Sequence, residues 1–339
     1  MTYGFLPATK EEFDRSGIGV PDFVYVSGDA YVDHPSFGAA IITRILDAAG
    51  FSVAVLAQPN FRSTEDFMRY GKPRLGFLVS SGNVDSMVAH YTAAKKKRSD
   101  DWYSPGRRAG LRPDRAVIVY TNRIREAYGD IPVIIGGLEA SLRRFAHYDY
   151  WSDKVRRSIL VDSRADILSY GMGENSIRRI AELLARGVPV KKIRDVRGTA
   201  YLCRRGEKLN FDPVRGTREE PEGYDYDELK TSKAAYAAAF AEQYANNDAV
   251  NGRALVEYYD DRMLVVNPPA FPLEREELDR VYALPYQRTY HPMYEKDGGV
   301  PAIQEVRFSI PRMLRRLQLL RDRVPSRTLC EITQRGKCA

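Results

Sequence analysis

The sequence predicts an α/β fold with a Rossmann-like doubly wound parallel sheet over residues 21–200. Short, almost uninterrupted apolar runs, such as that at 23–28, are typical of strands buried on both faces. Segments with a 3.6-residue apolar period separate these runs and predict helices. Because strands that alternate with helices form parallel sheets covered on both faces, the pattern indicates a doubly wound sheet.

Five strands and five helices are expected in this region, in alternating order. Gly50 ends the first helix, because glycine readily adopts the left-handed conformation found after helices. The charged loop that follows the third helix and runs to Pro113 is interpreted as a solvated surface excursion rather than a phosphate-binding patch. The predicted strands are 23–28, 51–57, 75–80, 132–137 and 165–171, and the predicted helices are 38–46, 63–70, 83–94, 114–128 and 174–186.

Segments of different character flank this region. An N-terminal arm precedes it, and a helical and extended connector follows it, mobile at 205–230 because Gly, Pro and charged residues are frequent there. Val306 to Ile310 alternates apolar and polar residues like a half-buried strand, and a basic, leucine-rich tail follows. The predicted divisions are 1–20 (arm), 21–200 (sheet domain), 201–300 (connector), 301–310 (strand) and 311–339 (tail).

The charge of the chain is concentrated in its tail. Residues 311–339 contain eight Lys or Arg and two Asp or Glu, whereas the other 310 residues carry 44 basic and 43 acidic side chains. A basic tail on a neutral body does not favour nucleic acid as a partner. No apolar run is long enough to span a membrane, and the N-terminus has no signal-peptide pattern, so we expect a cytoplasmic protein without a membrane partner.

Three strand-to-helix loops combine glycines with carboxylates. They follow parallel strands, and open α/β sheets bind ligands beyond the carboxyl ends of their strands. For any single loop a tight strand-to-helix turn is the better explanation, with Glu174 favouring a helix dipole, whereas the three loops together favour a ligand site or an interface. The candidate residues for lining a ligand site or an interface are Asp29, Asp33 and His34 in the first loop, Gly136, Gly137 and Glu139 in the second, and Gly171, Gly173 and Glu174 in the third.

A cluster of aromatic and basic side chains after the fourth strand supplies the other candidates. Such residues can stack on a base, or they can form an aromatic lid or an interdomain surface. The candidates in this cluster are Arg143, Arg144, His147, Tyr148 and Asp149.

Common cofactor motifs are not met. Neither Gly-x-Gly-x-x-Gly after the first strand nor a Gly-x-x-x-x-Gly-Lys-Ser/Thr loop occurs, which argues against a dinucleotide or P-loop site. Asp33 and His34 are adjacent, so they depart from the Asp-x-His-x-x-Gly pattern of cobalamin sites. The four histidines have no metal-ligand spacing, and the cysteines, Cys203, Cys330 and Cys338, are too far apart for a disulfide framework or metal site. We therefore predict no catalytic and no metal-binding residue in this chain.

Several long motifs resemble the YgiQ-like (UPF0313) radical SAM proteins over residues 1–310. They are the loop from Gly28 to Gly38, the segment from Gly136 to Asp153, and the short motifs Asn267-Pro268-Pro269-Ala270 and Ala283-Leu284-Pro285-Tyr286. The resemblance implies a cobalamin-binding-type N-terminal domain that packs on a radical SAM barrel. In the full-length family, three cysteines hold a [4Fe–4S] cluster that cleaves S-adenosylmethionine reductively to a radical, which acts on an unknown substrate.

The resemblance stops where those cysteines are expected. In the family, the strand equivalent to 306–310 leads into a Cys-x-x-x-Cys-x-x-Cys motif, which this chain lacks. Codons that encode residues 311–328 can be chosen so that a reading frame shifted by one nucleotide encodes the motif. We therefore interpret 311–339 as an out-of-frame tail, which the nucleotide sequence around codon 310 would test.

Two functional hypotheses follow. In the first, the chain is the N-terminal portion of a radical SAM enzyme whose catalytic barrel was lost by truncation or frameshift, so that it is inactive alone and holds no cofactor. In the second, it is a stand-alone Rossmann-like module that binds a ligand or partner through its loops without catalysis.

Overall fold

The structure, a computed structural model, describes residues 4–304. The predicted strand at 306–310 and the predicted tail at 311–339 lie outside these residues. The strands are β1 (Phe23–Ser27), β2 (Val53–Ala57), β3 (Gly76–Ser80), β4 (Val133–Gly136), β5 (His147–Asp149), β6 (Lys154–Arg156), β7 (Ile167–Ser169), β8 (Thr199–Arg204), β9 (Tyr224–Asp225), β10 (Leu255–Tyr259) and β11 (Arg262–Val266).

Eleven α-helices and four short 3-10 helices connect or flank the strands in residues 4–304. None of these helices is long and apolar enough to cross a membrane. The α-helices are α1 (Lys10–Arg15), α2 (Gly38–Ala48), α3 (Ser86–His90), α4 (Ala116–Tyr128), α5 (Gly137–Leu142), α6 (Ile159–Ser163), α7 (Glu174–Ala185), α8 (Tyr226–Thr231), α9 (Lys233–Ala245), α10 (Arg275–Tyr282) and α11 (Pro301–Gln304), and the 3-10 helices are Asp66–Met68, Pro105–Arg107, Val190–Lys192 and Pro292–Asp297.

Nine strands form one sheet in the order β2-β1-β3-β4-β7-β8-β11-β10-β9. The first five are parallel to their neighbours, as predicted, and their order matches the 2-1-3-4-5 order of flavodoxin-like doubly wound sheets. The sheet does not end there, because β8 pairs antiparallel with β7, β11 with β8, and β10 with β11. The fold is therefore α/β with a mostly parallel, partly mixed sheet, and the all-parallel prediction needs this correction.

Helices cover both faces of the parallel half. On one face, Leu46 of α2 and Ile177 and Ile180 of α7 pack against strand residues such as Phe23 and Ile134. On the other face, α4 and α6 pack against the alternate residues of the same strands. Burial of both faces explains why these strands are apolar without alternation.

Residues of the predicted connector continue the hydrophobic core. Leu264 and Val266 of β11 and Leu255 of β10 are buried in the same cluster as α4. Sequence reasoning missed β8, β9 and β10, because short strands in a charged, glycine-containing segment give little periodic signal.

Two predicted helices are shorter than expected. The helix predicted at 83–94 ends at His90, because the carbonyl of His90 accepts the Arg98 amide (2.7 Å) and Tyr91 pairs with Lys97 across a turn. The helix predicted at 63–70 is the 3-10 turn Asp66–Met68. The β5–β6 hairpin was not predicted.

The two ends of the described chain lie beside the parallel strands. The N-terminal arm covers the outer edge of β2, where the Val55 amide donates to the Pro7 carbonyl (2.8 Å). The extended segment at 284–299 crosses the loop after β1, where the Tyr294 hydroxyl accepts the Tyr31 amide (3.0 Å).

Replacing Leu264 by alanine tests whether β11 belongs to the main core. Leu264 is fully buried against residues of the parallel half, so Leu264→Ala should lower the free energy of unfolding by about 2–5 kcal/mol. Urea denaturation followed by circular dichroism measures the change. Val250→Ala, at a position 77% exposed, is the control and should stay within about 0.5 kcal/mol of wild type. An unchanged midpoint for Leu264→Ala would contradict the shared core.

Candidate functional site

The order in which the chain adds strands to the sheet reverses between β1 and β3. The chain leaves β1 for β2 on one side and returns to β3 on the other. At such a point the loops after the two strands diverge and open a crevice, the usual ligand site of open α/β sheets. The loops concerned are 28–37 after β1 and 81–85 after β3.

These two loops are in direct contact. A Cβ on Gly28 would lie 2.2 Å from the Ser81 carbonyl oxygen, so only glycine permits this approach. Gly82 has a positive φ of 105°, and a Cβ there would lie 2.0 Å from the Asp29 carboxylate. Asp29 in turn accepts the Asn83 amide at 2.6 Å. The backbone leaves little room between the loops.

A buried ion triad fills the remaining space. The Arg112 guanidinium lies 2.6 Å from Asp29 and 2.6 Å from Asp101, and it also donates to the Ser81 carbonyl at 3.0 Å. The three charged side chains are each no more than 3% exposed. Two carboxylates and one guanidinium therefore occupy the crevice at the switch point.

The loop that supplies the triad folds over the carboxyl edge. The Tyr103 carbonyl accepts the Ala30 amide (2.9 Å), and Ser104 donates to Asp101 (3.0 Å). Asp101, Ser104, Pro105, Arg112 and Pro113 are buried, so the interpretation of this loop as a solvated excursion is wrong for these residues. Trp102 and the lysines at the start of the loop are exposed. Sequence reasoning missed Asp101 and Arg112, because charged residues in a charged loop usually face water.

Burial dominates the titration of Asp29. It raises the pKa of the Asp29 carboxyl to about 6, although Arg112 and the Asn83 amide favour the ionised form. The predicted site residue Asp29 is thus a buried ion-pair partner of Arg112.

Asp33 and His34 lie in the same loop but have different surroundings. Asp33 is fully buried, forms an ion pair with Arg44 of α2 and accepts the Gln287 amide (3.0 Å). It therefore ties the β1 loop to α2 and to the 284–299 crossing. The half-buried His34 accepts the Ser36 amide through Nδ1 (3.1 Å), and burial lowers the pKa of its imidazole.

Glu139 joins the first turns of two helices. Its carboxylate, fully buried, accepts the Ser86 amide of α3 at 2.9 Å and the Val117 amide of α4 at 3.1 Å. Helix N-termini have unpaired amides and a partial positive charge, so this carboxylate satisfies both. Each of its two oxygens therefore accepts a backbone amide of this chain.

The aromatic and basic cluster is largely folded inward. Arg143 pairs with Asp85, which caps α3, and Asp149 pairs with Arg115 at 2.7 Å. Burial lowers the pKa of His147 to about 4, so its imidazole is neutral at pH 7. In contrast, Tyr148 is 50% exposed and donates to Asp153.

Arg144 lies near a carboxylate that the sequence did not reveal. Its guanidinium contacts the rings of Phe145 and Tyr170, with centroids 5.0 and 4.9 Å away. Glu257 of β10 is 2% exposed and accepts the Ala146 amide (2.8 Å) and the Tyr259 hydroxyl (2.8 Å). Burial raises the pKa of Glu257 to about 7, with Arg144 among the groups that oppose the rise.

The carboxyl ends of β4 and β7 are more open than the switch point. Gly137 and Gly171 are exposed and have positive φ values of 82° and 70°. The Ser141 hydroxyl accepts the Gly171 amide (3.3 Å), which joins the two loops. Gly136 is half-buried, and Gly173 and the buried Glu174 begin α7. Of the three predicted loops, the second and third therefore adjoin, whereas the first is closed by its own triad.

The described residues do not fit an iron–sulfur cluster. Three thiolates are needed for a site-differentiated [4Fe–4S] centre. Cys203, the free cysteine of the described part, is buried in β8, where its thiol points at the Met263 carbonyl (3.7 Å). Burial raises its pKa to about 11, which disfavours the thiolate. Within residues 4–304 no group of three or more His, Cys, Asp or Glu could hold a metal ion.

Comparison with known proteins gives consistent matches. A family model described as radical SAM N-terminal matches residues 5–309. A UPF0313 protein of Clostridium botulinum (strain 657 / Type Ba4) is 56% identical over 306 residues, which are 90% of this chain and 47% of that protein. One of Clostridium perfringens (strain 13 / Type A) is 52% identical, again over 90% of this chain and 45% of its own length. The chain thus spans about half the length of the curated relatives it matches.

The solved structures with distant similarity include the radical S-adenosylmethionine methyltransferase TsrM of Kitasatospora setae, with a TM-score of 0.34 and 17% identity. The match covers 53% of this chain and 28% of that chain.

Removing the cation of the triad should destabilise the fold strongly. Arg112→Met leaves two buried carboxylates without their cation, which should cost about 3–5 kcal/mol of unfolding free energy. Adding Asp29→Asn and Asp101→Asn to this variant should recover part of the loss, since the unpaired charge is then removed. Urea denaturation of both variants measures this. Arg108→Met, which removes an exposed guanidinium 3.7 Å from Asp297, is the control and should change little.

Glu257 should make stability depend on pH. Its folded pKa of about 7 exceeds the usual value of 4.5, so the folded state binds more protons between these values. The stabilisation of the folded state by protonated Glu257 is fully present below pH 4.5. It is lost as the pH rises to about 7, at up to about 1.4 kcal/mol of unfolding free energy per pH unit. Denaturation from pH 5 to 7 should show this slope in the difference between wild type and Glu257→Gln. Parallel curves would contradict it, while Asp29, unchanged in both proteins, cancels in the difference.

Proposed function

The chain belongs to the UPF0313 family through a radical SAM N-terminal domain at residues 5–309, and from this premise we propose that it is the N-terminal portion of a radical SAM enzyme. The observation that carries the proposal is the extent of the match: it includes nine-tenths of this chain but less than half of the C. botulinum relative. The remaining half of the relatives is where we place the cluster, the S-adenosylmethionine site and the unidentified substrate.

The chain by itself is proposed to do no radical chemistry. The cluster would need three thiolates, and this sequence contains three cysteines whose spacing does not form the Cys-x-x-x-Cys-x-x-Cys motif. The buried, protonated thiol of Cys203 is a poor ligand as it stands. The last residues, 310–339, lie beyond the family match, which is consistent with our interpretation of 311–339 as an out-of-frame tail.

We further propose that the domain is of the cobalamin-binding type in topology but does not bind a ligand at its switch point. The 2-1-3-4-5 order of the parallel strands supports the first part. The Asp29–Arg112–Asp101 triad supports the second, because a ligand would have to displace buried charges. The same triad disfavours the alternative of a stand-alone small-molecule binding module at that crevice.

Anaerobic iron–sulfur reconstitution tests this function. The 339-residue chain should not acquire the visible absorption of a [4Fe–4S] cluster, whereas a fusion of residues 1–309 to the remaining half of the C. botulinum relative should acquire it and cleave S-adenosylmethionine. The fusion with Cys203→Ser is the matched control and should retain the cluster, because that thiol is buried in β8. A cluster in the 339-residue chain, or its loss in the control, would overturn the proposal.

A further inference from the structure

We propose that the carboxyl edge of the sheet around α5 is the surface on which the remaining half of the UPF0313 relatives docks. This inference rests on the proposed function for the identity of its partner. It assigns a specific surface of this chain, defined by Leu138 and Leu142 of α5, Trp102 and Phe271, and called here the edge surface.

Large apolar side chains are exposed on this surface. Leu138 is 46% exposed, Leu142 62%, Trp102 40% and Phe271 56%. Single exposed apolar residues are ordinary on protein surfaces, but several at one edge indicate an interaction site.

Helix α5 presents its apolar face outward. Leu138 and Leu142 are four residues apart, so they lie on the same face of the helix. The opposite face carries the buried Glu139 and Ala140, which fix α5 against the sheet. The exposed Gly171 lies beside the helix, where the Ser141 hydroxyl accepts its amide. A short helix that is fixed on one face and apolar on the other is suited to docking a folded domain.

Phe271 lies at the same edge, although it comes from the antiparallel half. Strand β11 is antiparallel to β8, which is antiparallel to β7, so β11 ends where β7 ends. The Tyr170 hydroxyl donates to the Asn267 carbonyl (2.5 Å) just after both strands. The Arg197 guanidinium holds the Phe271 ring at 4.2 Å.

The described chain also reaches its last residues at this edge. The Ala302 amide of α11 donates to the Trp102 carbonyl (3.0 Å), and the Gly106 amide donates to the Gly299 carbonyl (3.0 Å). The loop at 101–107 covers the carboxyl ends of β1 and β3. The remaining half of the relatives, which follows an N-terminal domain, would therefore begin beside the edge surface rather than on the far side of the sheet.

The occupant is argued from this exit point and from the length that is missing. More than half of the C. botulinum relative lies outside the match, which is ample for a second domain. Phe240 of α9 is 60% exposed and is not part of the edge surface, so it serves as an internal control.

Covalent footprinting with mass spectrometry tests the surface. The 339-residue chain and the fusion of residues 1–309 to the remaining half of the C. botulinum relative are labelled side by side with hydroxyl radicals. Burial in an interface core should reduce labelling of Leu138, Leu142 and Phe271 by roughly fivefold in the fusion. Labelling of Phe240 should be unchanged.

Paired variants of the fusion provide the matched comparison. Leu138→Arg with Leu142→Arg should restore labelling of Phe271, whereas Phe240→Arg should not. All three changes are at exposed positions and should leave the fold of the 339-residue chain intact.

Unchanged labelling in a fusion that holds its cluster would overturn the docking surface but not the proposed function. Protection in a fusion without a cluster would support the surface and overturn the function. Protection that appears in the 339-residue chain as its concentration rises would identify a second copy as occupant and overturn the proposal.

Discussion

The buried triad of Asp29, Arg112 and Asp101 is the interaction on which the carboxyl edge of the sheet depends. It joins the loop after β1, the loop after β3 and the segment between α3 and α4. Buried charges are costly unless they are paired and hydrogen-bonded, so these three segments have to keep their relative positions. The glycines at 28 and 82 follow from the same constraint, since any side chain there would collide with Ser81 or Asp29.

A second carboxylate extends this arrangement to the neighbouring strands. Glu139 follows β4 and holds the N-termini of α3 and α4, while Arg143, one turn later, pairs with Asp85 at the start of α3. In the sequence these loops resemble a ligand site, but the carboxylates of Asp29 and Glu139 accept hydrogen bonds from within the chain. What they leave outside is the apolar face of α5, which is why a partner domain suits this edge better than a small molecule does.

The parallel half of the fold could be predicted from sequence, because strands such as β1 and β3 and helices such as α4 and α7 have strong periodic patterns and clear ends. The antiparallel half could not, since β9 is two residues long and β8 begins within a segment without clear period. The site was partly predictable: glycines and acids after β1, β4 and β7 do meet at one edge. Their partners Arg112, Asp101 and Glu257 come from loops and strands far away in the sequence, and only the fold shows that they are buried.

The two margins of the nine-stranded sheet have a consequence for solubility. Unpaired strand edges attract other chains and seed aggregation, and proteins avoid this with short or covered edge strands. Here one margin is β9, which has only two residues, and the other is β2, which the N-terminal arm covers at Val55. Both margins of the described sheet therefore offer little unpaired backbone to another chain.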